Sequence, residues 1–350
     1  MVTIFYGVAG EGYGHAIRSK VVIDGLRKKH TVEVFAGGNA YHYILRSYPV
    51  HRIAHFRFVH RRNSVSIVRT ALLNILLFPL VLVHLVKLVM RIKKEKPAIV
   101  VSDFEPLVTY AAMLCRTPCI SVNYPFLNNT YLKAYRITPN IKAKADYALT
   151  LLINWFLCPK KDVEIITTFF HEKNNGREKV AKPVLRESIL NAKPLIGNYV
   201  LVYQTSKSNI KLVKSLYDVK ENFIFYGFNK NEKTKNVRFK RFDAKAFAED
   251  LAGAKAVIAN GGFSLMSECA YMHKPLLAIP VHNRYEQVLN GMYLKKLGFG
   301  TAIKVATPEL IETFLDAIPA YRKNLQAQKS WNNKAFFELL EKEIKRCSHL

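Results

Sequence analysis

The sequence predicts an α/β protein built from two doubly wound domains, and three observations lead to this expectation. Short apolar runs alternate with helix-length segments along most of the chain, which is typical of parallel βαβ units. The runs are apolar at nearly every position, as expected for strands buried on both faces of a sheet. The chain has 350 residues, enough for two domains of ordinary size.

The first half of the chain contains the elements of one such domain. Strands are predicted at Val2–Val8, Thr31–Ala36, Val50–His60, Ala98–Ser102 and Cys119–Val122, and helices at Ala16–Lys29 and from Asp103 through Leu114. The pattern restarts after Pro194. Strands then follow at Tyr199–Gln204, Phe223–Tyr226, Val237–Phe242, Ala256–Ala259 and Leu276–Ile279, and helices at Ile210–Tyr217, Ala244–Ala252, Phe263–Met272 and Arg284–Leu297.

These elements divide the chain into an N-terminal domain (1–190), a C-terminal domain (191–325) and a last segment (326–350). We expect the last segment to form a helix from about Gln326 to Arg346 that packs back on the N-terminal domain. Two Rossmann-like domains of this kind leave a cleft between the carboxyl ends of their sheets, where ligands bind.

The charge of the chain points to an anionic partner. It carries 53 Lys and Arg residues against 26 Asp and Glu, a formal net charge of +27. Nucleic acid, an anionic bilayer and phosphorylated ligands are the candidate partners. No helix-turn-helix, zinc finger or aromatic stacking platform supports nucleic acid, so we expect none.

The chain also carries signals of its compartment. The first apolar run, Val2–Val8, lacks a basic leader and a cleavage pattern, which argues against a secretory signal. The five cysteines are odd in number and complete no metal site. We therefore expect reduced thiols and a cytoplasmic protein.

The segment Ala71–Met90 is apolar throughout and has the length of a bilayer span. It lies between two predicted strands of one sheet, and basic residues flank both of its ends, so they give no orientation. Three interpretations stay open: a spanning helix, a helix that faces an anionic membrane surface, and a helix of the protein core.

The first strand leads into a loop with three glycines, Gly10, Gly12 and Gly14, followed by His15. The spacing departs from the dinucleotide pattern G-x-G-x-x-G, and no acidic residue ends the second strand. We interpret the glycines as a close-approach loop and His15 as a general base, since histidine titrates near neutrality. The alternative is a histidine hydrogen-bonded to the backbone.

Asp103 ends the fourth predicted strand, at the same sheet edge as His15. A carboxylate there would orient the imidazole and stabilise its charged form. Glu105 is the competing candidate, and Asp103 could instead cap the following helix.

A second polar group follows strands of the C-terminal domain. Asn260, Gly261 and Gly262 join a strand to a helix, a typical anion-binding turn. Glu268 lies two turns into that helix among small and apolar residues and needs a partner, which a ribose diol would supply. Further along, HNRYEQVLN places polar residues at a helix start, where Glu286 and Gln287 could bind sugar hydroxyls.

Residues 7–18 and 256–300, together with SDFEP and VLVYQTS, resemble type-B (GT-B) fold glycosyltransferases related to glycosyltransferase family 28. That group includes the peptidoglycan lipid-intermediate N-acetylglucosaminyltransferase. The resemblance implies that the C-terminal domain binds a UDP-sugar and the N-terminal domain its acceptor. It implies a donor site of Gln204, Thr205, Ser206, Phe242, Asn260, Gly261, Gly262, Phe263, Ser264, Glu268, Arg284, Glu286 and Gln287, with the diphosphate at 204–206 and 260–263. The family has a Gly-Gly-Ser type loop where this chain has Gln204–Ser206.

The resemblance further implies that Glu268 binds the ribose, that Glu286 and Gln287 read the donor sugar, and that His15 and Asp103 act as base and partner. We therefore expect an inverting hexosyltransferase that requires no metal or cofactor, with a UDP-sugar as co-substrate. A lipid-linked, glycolipid or cell-envelope acceptor at the inner face of the membrane would explain the basic charge and Ala71–Met90. The alternatives are a nucleotide-sugar 2-epimerase or hydrolase of the same fold, and a nucleic-acid-binding protein.

Overall fold

The computed structural model describes residues 1–10, 13–57, 59–61, 64–124, 148, 151–152, 154–157, 159, 162–169, 178–204, 209–281 and 284–348. The chain divides into two compact units. Unit 1 comprises Met1–Val59, Ser66–Val184 and Asn332–Leu350. Unit 2 comprises His60–Val65 and Leu185–Trp331.

Unit 1 is built on one parallel sheet. Its strands are β1 (Thr3–Val8), β2 (Thr31–Ala36), β3 (Val50–Arg52), β6 (Ile99–Asp103), β7 (Cys119–Asn123), β8 (Val163–Thr167) and β9 (Glu178–Ala181). Among the described residues these seven strands lie in the order β3-β2-β1-β6-β7-β8-β9. Two short antiparallel strands, β4 (His60–Arg61) and β5 (Ser64–Val65), pair separately.

Helices cover both faces of this sheet. They are α1 (Tyr13–Leu26), α2 (Gly38–Ile44), α3 (Ile67–Glu95), α4 (Pro106–Cys115) and, from the end of the chain, α12 (Lys334–Cys347). On one face, side chains of α1 and α12 such as Ile23 and Leu340 pack with Val101 of the sheet. On the other face, Leu88 of α3 and Val108 of α4 pack with Phe5. The strands are thus buried on both faces, as their continuous apolar runs predict.

Unit 2 repeats this architecture. Its strands are β10 (Val200–Tyr203), β11 (Phe223–Tyr226), β12 (Glu232–Thr234), β13 (Val237–Lys240), β14 (Ala256–Ala259), β15 (Leu276–Ala278) and β16 (Gly300–Ala302). They lie in the order β12-β13-β11-β10-β14-β15-β16, with β12 antiparallel at the edge. Its helices are α5 (Glu187–Leu190), α6 (Ile210–Tyr217), α7 (Ala244–Gly253), α8 (Phe263–Tyr271), α9 (Tyr285–Lys296), α10 (Pro308–Asp316) and α11 (Ile318–Gln326).

Each sheet has a topological switch point, where the strand order reverses. In unit 1 it lies between β1 and β6, and in unit 2 between β10 and β14. Ligands of doubly wound sheets bind outside the carboxyl ends of the strands at this point. The predicted doubly wound α/β class is confirmed in both units.

Two predictions about single elements are wrong. The predicted strand Val50–His60 is interrupted: Val50–Arg52 form β3, residues 53–57 are irregular, and His60 belongs to β4. The predicted last helix begins at Lys334 instead of about Gln326, after the non-helical residues 327–333. Of the three interpretations of Ala71–Met90, the core helix does not fit, because Leu76 and Ile75 within the segment are 78% and 68% exposed.

Candidate active site

The site in unit 1 forms where β1 and β6 end side by side. Val8 of β1 lies opposite Asp103 of β6 in the sheet register. His15 lies in the first turn of α1, directly after the loop that leaves β1. Its Nδ1 is 2.7 Å from Oδ1 of Asp103. The structure therefore brings together the two residues that the sequence nominates as base and partner.

Two further residues of α1 bind the same carboxylate. Arg18 donates from Nε to Oδ2 of Asp103 at 3.1 Å, and its second terminal nitrogen contacts Oδ1. Ser19 donates from Oγ to Oδ2 at 2.5 Å. His15, Arg18 and Ser19 are spaced three and four positions apart, which places them on one face of a helix. Asp103 has no exposed surface, and these three donors replace the water it has lost.

The neighbouring charges keep the carboxyl of Asp103 ionised. Burial alone would raise its pKa, but the charge of Arg18, then the imidazole of His15 and the hydrogen bonds of both, lower it from 3.8 to about 2. An ionised Asp103 accepts a hydrogen bond from the Nδ1–H group of His15, which leaves Nε2 as the basic nitrogen of the neutral ring.

Aromatic side chains flank the imidazole. The ring of Phe104 lies 6.3 Å from that of His15 at an interplanar angle of 20°, and Tyr124 lies 5.6 Å away. Phe104 has a φ of 52°, a left-handed conformation that bulky residues rarely adopt. Tyr124 also lies 3.9 Å from the guanidinium carbon of Arg18. The imidazole therefore lies between aromatic surfaces and is 19% exposed.

Glu105, the competing partner, has a different role in this unit. Its Oε2 accepts from the backbone N–H of Val108 at 2.8 Å, so it caps α4. Its Oε1 is buried without a partner among the described residues. Burial raises the pKa of Glu105 from 4.5 to about 8, against the lowering effect of the backbone N–H groups of Val108 and Leu107. The structure thus pairs His15 with Asp103.

The close-approach loop admits a side chain of the protein itself. A Cβ on Gly10 would lie 2.6 Å from the ring of His55, and one on Gly37 would lie 2.7 Å from the same residue. Gly38 has a φ of +50° and would bring a Cβ within 2.5 Å of the carbonyl oxygen of Gly10. Gly14 lies in the first turn of α1. Gly12 lies outside the described residues.

The switch point of unit 2 carries two amides. Gln204 follows β10, Asn260 follows β14, and Asn260 donates from Nδ2 to Oε1 of Gln204 at 2.8 Å. Asn209 donates to the same oxygen at 3.4 Å. Gln204 has no exposed surface, and its Nε2 has no partner among the described residues. The Nε2 amide group of Gln204, which carries two N–H donors, is therefore buried and unsatisfied among the described residues. Thr205 and Ser206 lie outside the described residues.

The turn after β14 opens onto the N-terminus of α8. Gly261 has a φ of +82°, and its carbonyl accepts from Nδ2 of Asn290 at 2.9 Å. Among the described residues other than its chain neighbours, no atom lies within 4 Å of the position that a Cβ on Gly262 would take. Gly262 is the N-cap of α8 and has no side chain to cap the helix, whose first residues are Phe263 and Ser264. A phosphate group is a typical ligand of a helix N-terminus.

Glu268 has a partner that the sequence does not reveal. Arg186 donates from Nε to Oε1 of Glu268 at 2.8 Å and from its terminal nitrogen to Oε2 at 2.9 Å. The partner that buried Glu268 needs is therefore supplied by the protein itself, and its role in ribose binding stays a prediction. Each carboxylate oxygen accepts two hydrogen bonds, so a ribose diol could still bind.

The remaining predicted donor residues lie around the same sheet edge of unit 2. Gln287 is buried, and its Oε1 accepts from the backbone N–H of Val281 at 2.8 Å, which connects α9 to Val281. Arg284 is the N-cap of α9, and Glu286 lies in its first turn, partly exposed. Phe242 is 44% exposed, and its ring lies 6.3 Å from that of Tyr203. An exposed aromatic ring of this kind can stack with a nucleotide base.

Sequence reasoning missed Arg18, Ser19 and Arg186. The first two carry a signal, since His15, Arg18 and Ser19 share one helical face. A buried carboxylate predicted beside an imidazole also calls for a second cation. Arg186 carries no local signal, because 82 positions separate it from Glu268. Among the described residues, no group of three or more His, Cys, Asp or Glu side chains is placed to hold a metal.

Comparison with known proteins identifies the family. Residues 2–319 match the model of "Glycosyl transferase family 1". The chain belongs to this glycosyltransferase family. An uncharacterized glycosyltransferase of Methanosarcina acetivorans is 25% identical over 295 residues, covering 74% of this chain and 76% of the relative. The match confirms a glycosyltransferase, while the likeness to family 28 in particular stays a prediction.

Solved glycosyltransferase structures share the fold of this family member. The calicheamicin glycosyltransferase CalG4 aligns with a TM-score of 0.67 at 14% identity, covering 99% of both chains. UGT2 of Phytolacca americana, solved with UDP-2-fluoro-glucose and pterostilbene, aligns with a TM-score of 0.68 at 12% identity, covering 99% of both chains. The GT-B fold predicted from the sequence is confirmed.

Proposed function

We propose that this glycosyltransferase moves a hexose-type sugar from a UDP-sugar to a hydroxyl group, with inversion at the anomeric carbon. The observation that carries the proposal is the contact between His15 and the ionised Asp103 at the switch point of unit 1. A neutral imidazole whose Nδ1–H is held by a carboxylate presents Nε2 as a base.

In the proposed reaction, Nε2 of His15 takes the proton of the acceptor hydroxyl. The acceptor oxygen forms a bond to the anomeric carbon of the donor while the bond from that carbon to the phosphate oxygen breaks. UDP leaves with the electron pair. Asp103 stabilises the imidazolium that forms, and Arg18 and Ser19 hold Asp103 in place. A single displacement of this kind inverts the anomeric centre.

We assign donor binding to unit 2. The N-terminus of α8 at Gly262 and the Nε2 amide group of Gln204 would bind the diphosphate and stabilise the leaving group without a metal. Glu268 would bind the ribose and Phe242 the base, while Glu286 and Gln287 would contact the sugar. The UDP-sugar analogue in the Phytolacca americana structure supports UDP as the nucleotide.

We propose a lipid-linked or glycolipid acceptor of the cell envelope, used by a cytoplasmic enzyme at the inner face of the membrane. The support is the net charge of +27 together with the exposed apolar helix α3. An anionic lipid surface would attract such a protein.

The first experiment identifies the donor by thermal shift with UDP, GDP, TDP and their sugars. We expect stabilisation by UDP and by one or more UDP-sugars. Failure of UDP to shift the unfolding temperature, with a clear shift by another nucleotide, would overturn the donor assignment.

The second experiment measures UDP release from the donor found, with a lipid extract as acceptor. His15→Ala should lower turnover about a hundredfold or more and leave the UDP thermal shift intact. His42→Ala, an exposed histidine on α2, is the matched control and should retain full turnover. Unchanged turnover in His15→Ala would rule out the base assignment, and free hexose formed without acceptor would favour a hydrolase or epimerase.

A further inference from the structure

Helix α3 presents apolar side chains to the solvent along most of its length. The exposed large apolar residues are Val68, Leu72, Ile75, Leu76, Phe78, Leu80, Leu82, Val83, Val86 and Met90. Exposed apolar patches of this extent mark interaction surfaces, because water makes them costly to leave uncovered.

The exposed residues follow the period of a helix. Positions 68, 72, 75, 79, 82, 86 and 90 recur every three or four residues, so they form one stripe about 33 Å long at 1.5 Å per residue. The opposite side carries Leu88 and Ile92, which are 3% exposed in the core of unit 1. Soluble helices place polar residues on the side away from the core. In α3 that side is apolar instead.

Contacts at two places hold α3 along the surface of unit 1. Near its start, Asn74 exchanges two hydrogen bonds with the backbone of Arg57, at 3.0 and 2.8 Å. Near its end, Leu88 and Ile92 pack against α4 and the sheet. The helix has the length and composition of a membrane span, but spanning would break both sets of contacts. The contacts favour a helix that lies in the plane of a membrane surface.

A second group of exposed apolar residues contacts α4, the helix that packs with α3, through Phe156. The group consists of Leu152, Trp155 and Phe156, and Trp155 is 69% exposed. Tyr110 of α4 donates from its hydroxyl to the carbonyl of Phe156 at 2.6 Å, and their rings lie 6.1 Å apart. Tryptophan is enriched at membrane interfaces, where its ring lies at headgroup level.

The basic residues of α3 indicate which partner could cover its apolar side. The helix carries Arg69, Lys87, Lys93 and Lys94, while its one acidic residue, Glu95, is bound to Arg91 at 2.8 Å. A second copy of this chain would bring an equally basic surface, which opposes self-association. An anionic bilayer would satisfy the apolar stripe and the basic residues together.

We propose that α3, together with Leu152, Trp155 and Phe156, forms a docking surface that lies in the headgroup–acyl boundary of an anionic bilayer. The surface deepens the proposed function, since it would present unit 1 to an acceptor held in the membrane. Its binding to lipid does not depend on donor chemistry. The two proposals can therefore fail separately.

The test is flotation with vesicles of phosphatidylcholine, with and without phosphatidylglycerol. We expect the wild type to float with the phosphatidylglycerol vesicles and to bind neutral vesicles weakly. Ile75→Glu/Val83→Glu should reduce binding about tenfold or more, because each carboxylate must enter the interface. Val305→Glu/Leu310→Glu, at exposed apolar positions of unit 2, is the matched control and should float like the wild type.

Four outcomes would overturn the proposal. The first is a wild type that does not bind vesicles, and the second is a variant that binds them equally well. The third is bound protein that resists a carbonate wash, and the fourth is a wild type that sediments as a dimer while the variant sediments as a monomer. The third would show a spanning helix, and the fourth a second copy on α3. The melting temperature and UDP shift of the variant report its folding. Vesicle binding without any UDP shift would reject the donor assignment alone.

Discussion

In unit 1, the two strands at the switch point lead into charged residues, whereas the corresponding strands of unit 2 end in two amides. The carboxylate of Asp103 accepts hydrogen bonds from His15, Arg18 and Ser19. Oε1 of Gln204 accepts hydrogen bonds from Asn260 and Asn209, and its Nε2 has no partner among the described residues. We propose that the first arrangement exchanges a proton and that the second gives a neutral donor to a ligand.

Under the proposed function, one topology supports two tasks. Proton transfer needs an ionised group of fixed position, and Arg18 supplies the charge that keeps buried Asp103 ionised. Binding of a diphosphate needs donors whose charge does not change with pH, and amides fulfil this condition. The fold fixes where the chemistry takes place, and the residues after the strands decide which chemistry it is.

The largest expected effect comes from breaking the ion pair of unit 1. Arg18→Met leaves Asp103 buried without its cation and should lower the free energy of unfolding by about 3–5 kcal/mol, measured by urea denaturation. The double variant Arg18→Met/Asp103→Leu should recover much of that stability but not turnover. Equal stability of the single variant and wild type would show that the pair contributes nothing.

The second prediction concerns Glu105, two residues after the end of β6, and the pH dependence of the free energy of unfolding. Its pKa lies above the ordinary 4.5, at about 8, so the folded state holds a proton that the unfolded state releases between these values. Stability should therefore fall as pH rises through this window, and Glu105→Gln should remove roughly 2–4 kcal/mol of that fall while keeping the cap on α4.

Denaturation of both proteins from pH 5 to pH 8 checks this prediction. Turnover supplies the comparison with Asp103: Glu105→Gln should stay active, and Asp103→Asn should lose activity. The reverse result would assign the partner of His15 to Glu105.

The amide pair of unit 2 should show a smaller, ligand-specific effect. Gln204→Met removes the Nε2 amide group and should raise the Kd for UDP about tenfold. A tenfold change corresponds to the binding free energy of one hydrogen bond to a charged group. Uridine, which lacks the diphosphate, should bind variant and wild type alike. Calorimetric titration with both ligands is the measurement, and an equal loss for uridine would mean that Gln204 only supports the fold.

The smallest effect concerns Arg186. If it positions Glu268 for the ribose, Arg186→Met should weaken UDP and uridine binding to the same extent, by about threefold. Glu268→Ala should weaken both ligands further. Tighter binding by Arg186→Met in the same titration would show that the guanidinium competes with the ribose.

The sequence predicts the first site more fully than the second. Both strands of unit 1 are strongly apolar, so their ends, and with them His15 and Asp103, could be placed at one edge. Asn260 and Gln204 could be placed in the same way. Their mutual hydrogen bond could not be predicted, because amides also serve as ligand contacts, and the pairing depends on side-chain orientation.

Other features depend on contacts that local patterns do not encode. Arg186 reaches Glu268 across the sequence, and His55 fills the space beside Gly10 that the sequence assigns to substrates. The strand predicted through His60 stops at Arg52, although its residues remain apolar enough to continue. In each case tertiary packing decides what propensity leaves open.

The return of α12 to unit 1 sets an order for the folding of the chain during its synthesis. Phe336, Leu340 and Ile344 belong to the core cluster that also holds Ile23 and Val101. Apart from the short strands β4 and β5, unit 2 is continuous from Leu185 to Trp331. The ribosome therefore completes the sheet of unit 2 before unit 1 receives its last core residues, so unit 1, which holds the pair of His15 and Asp103, is the last to mature.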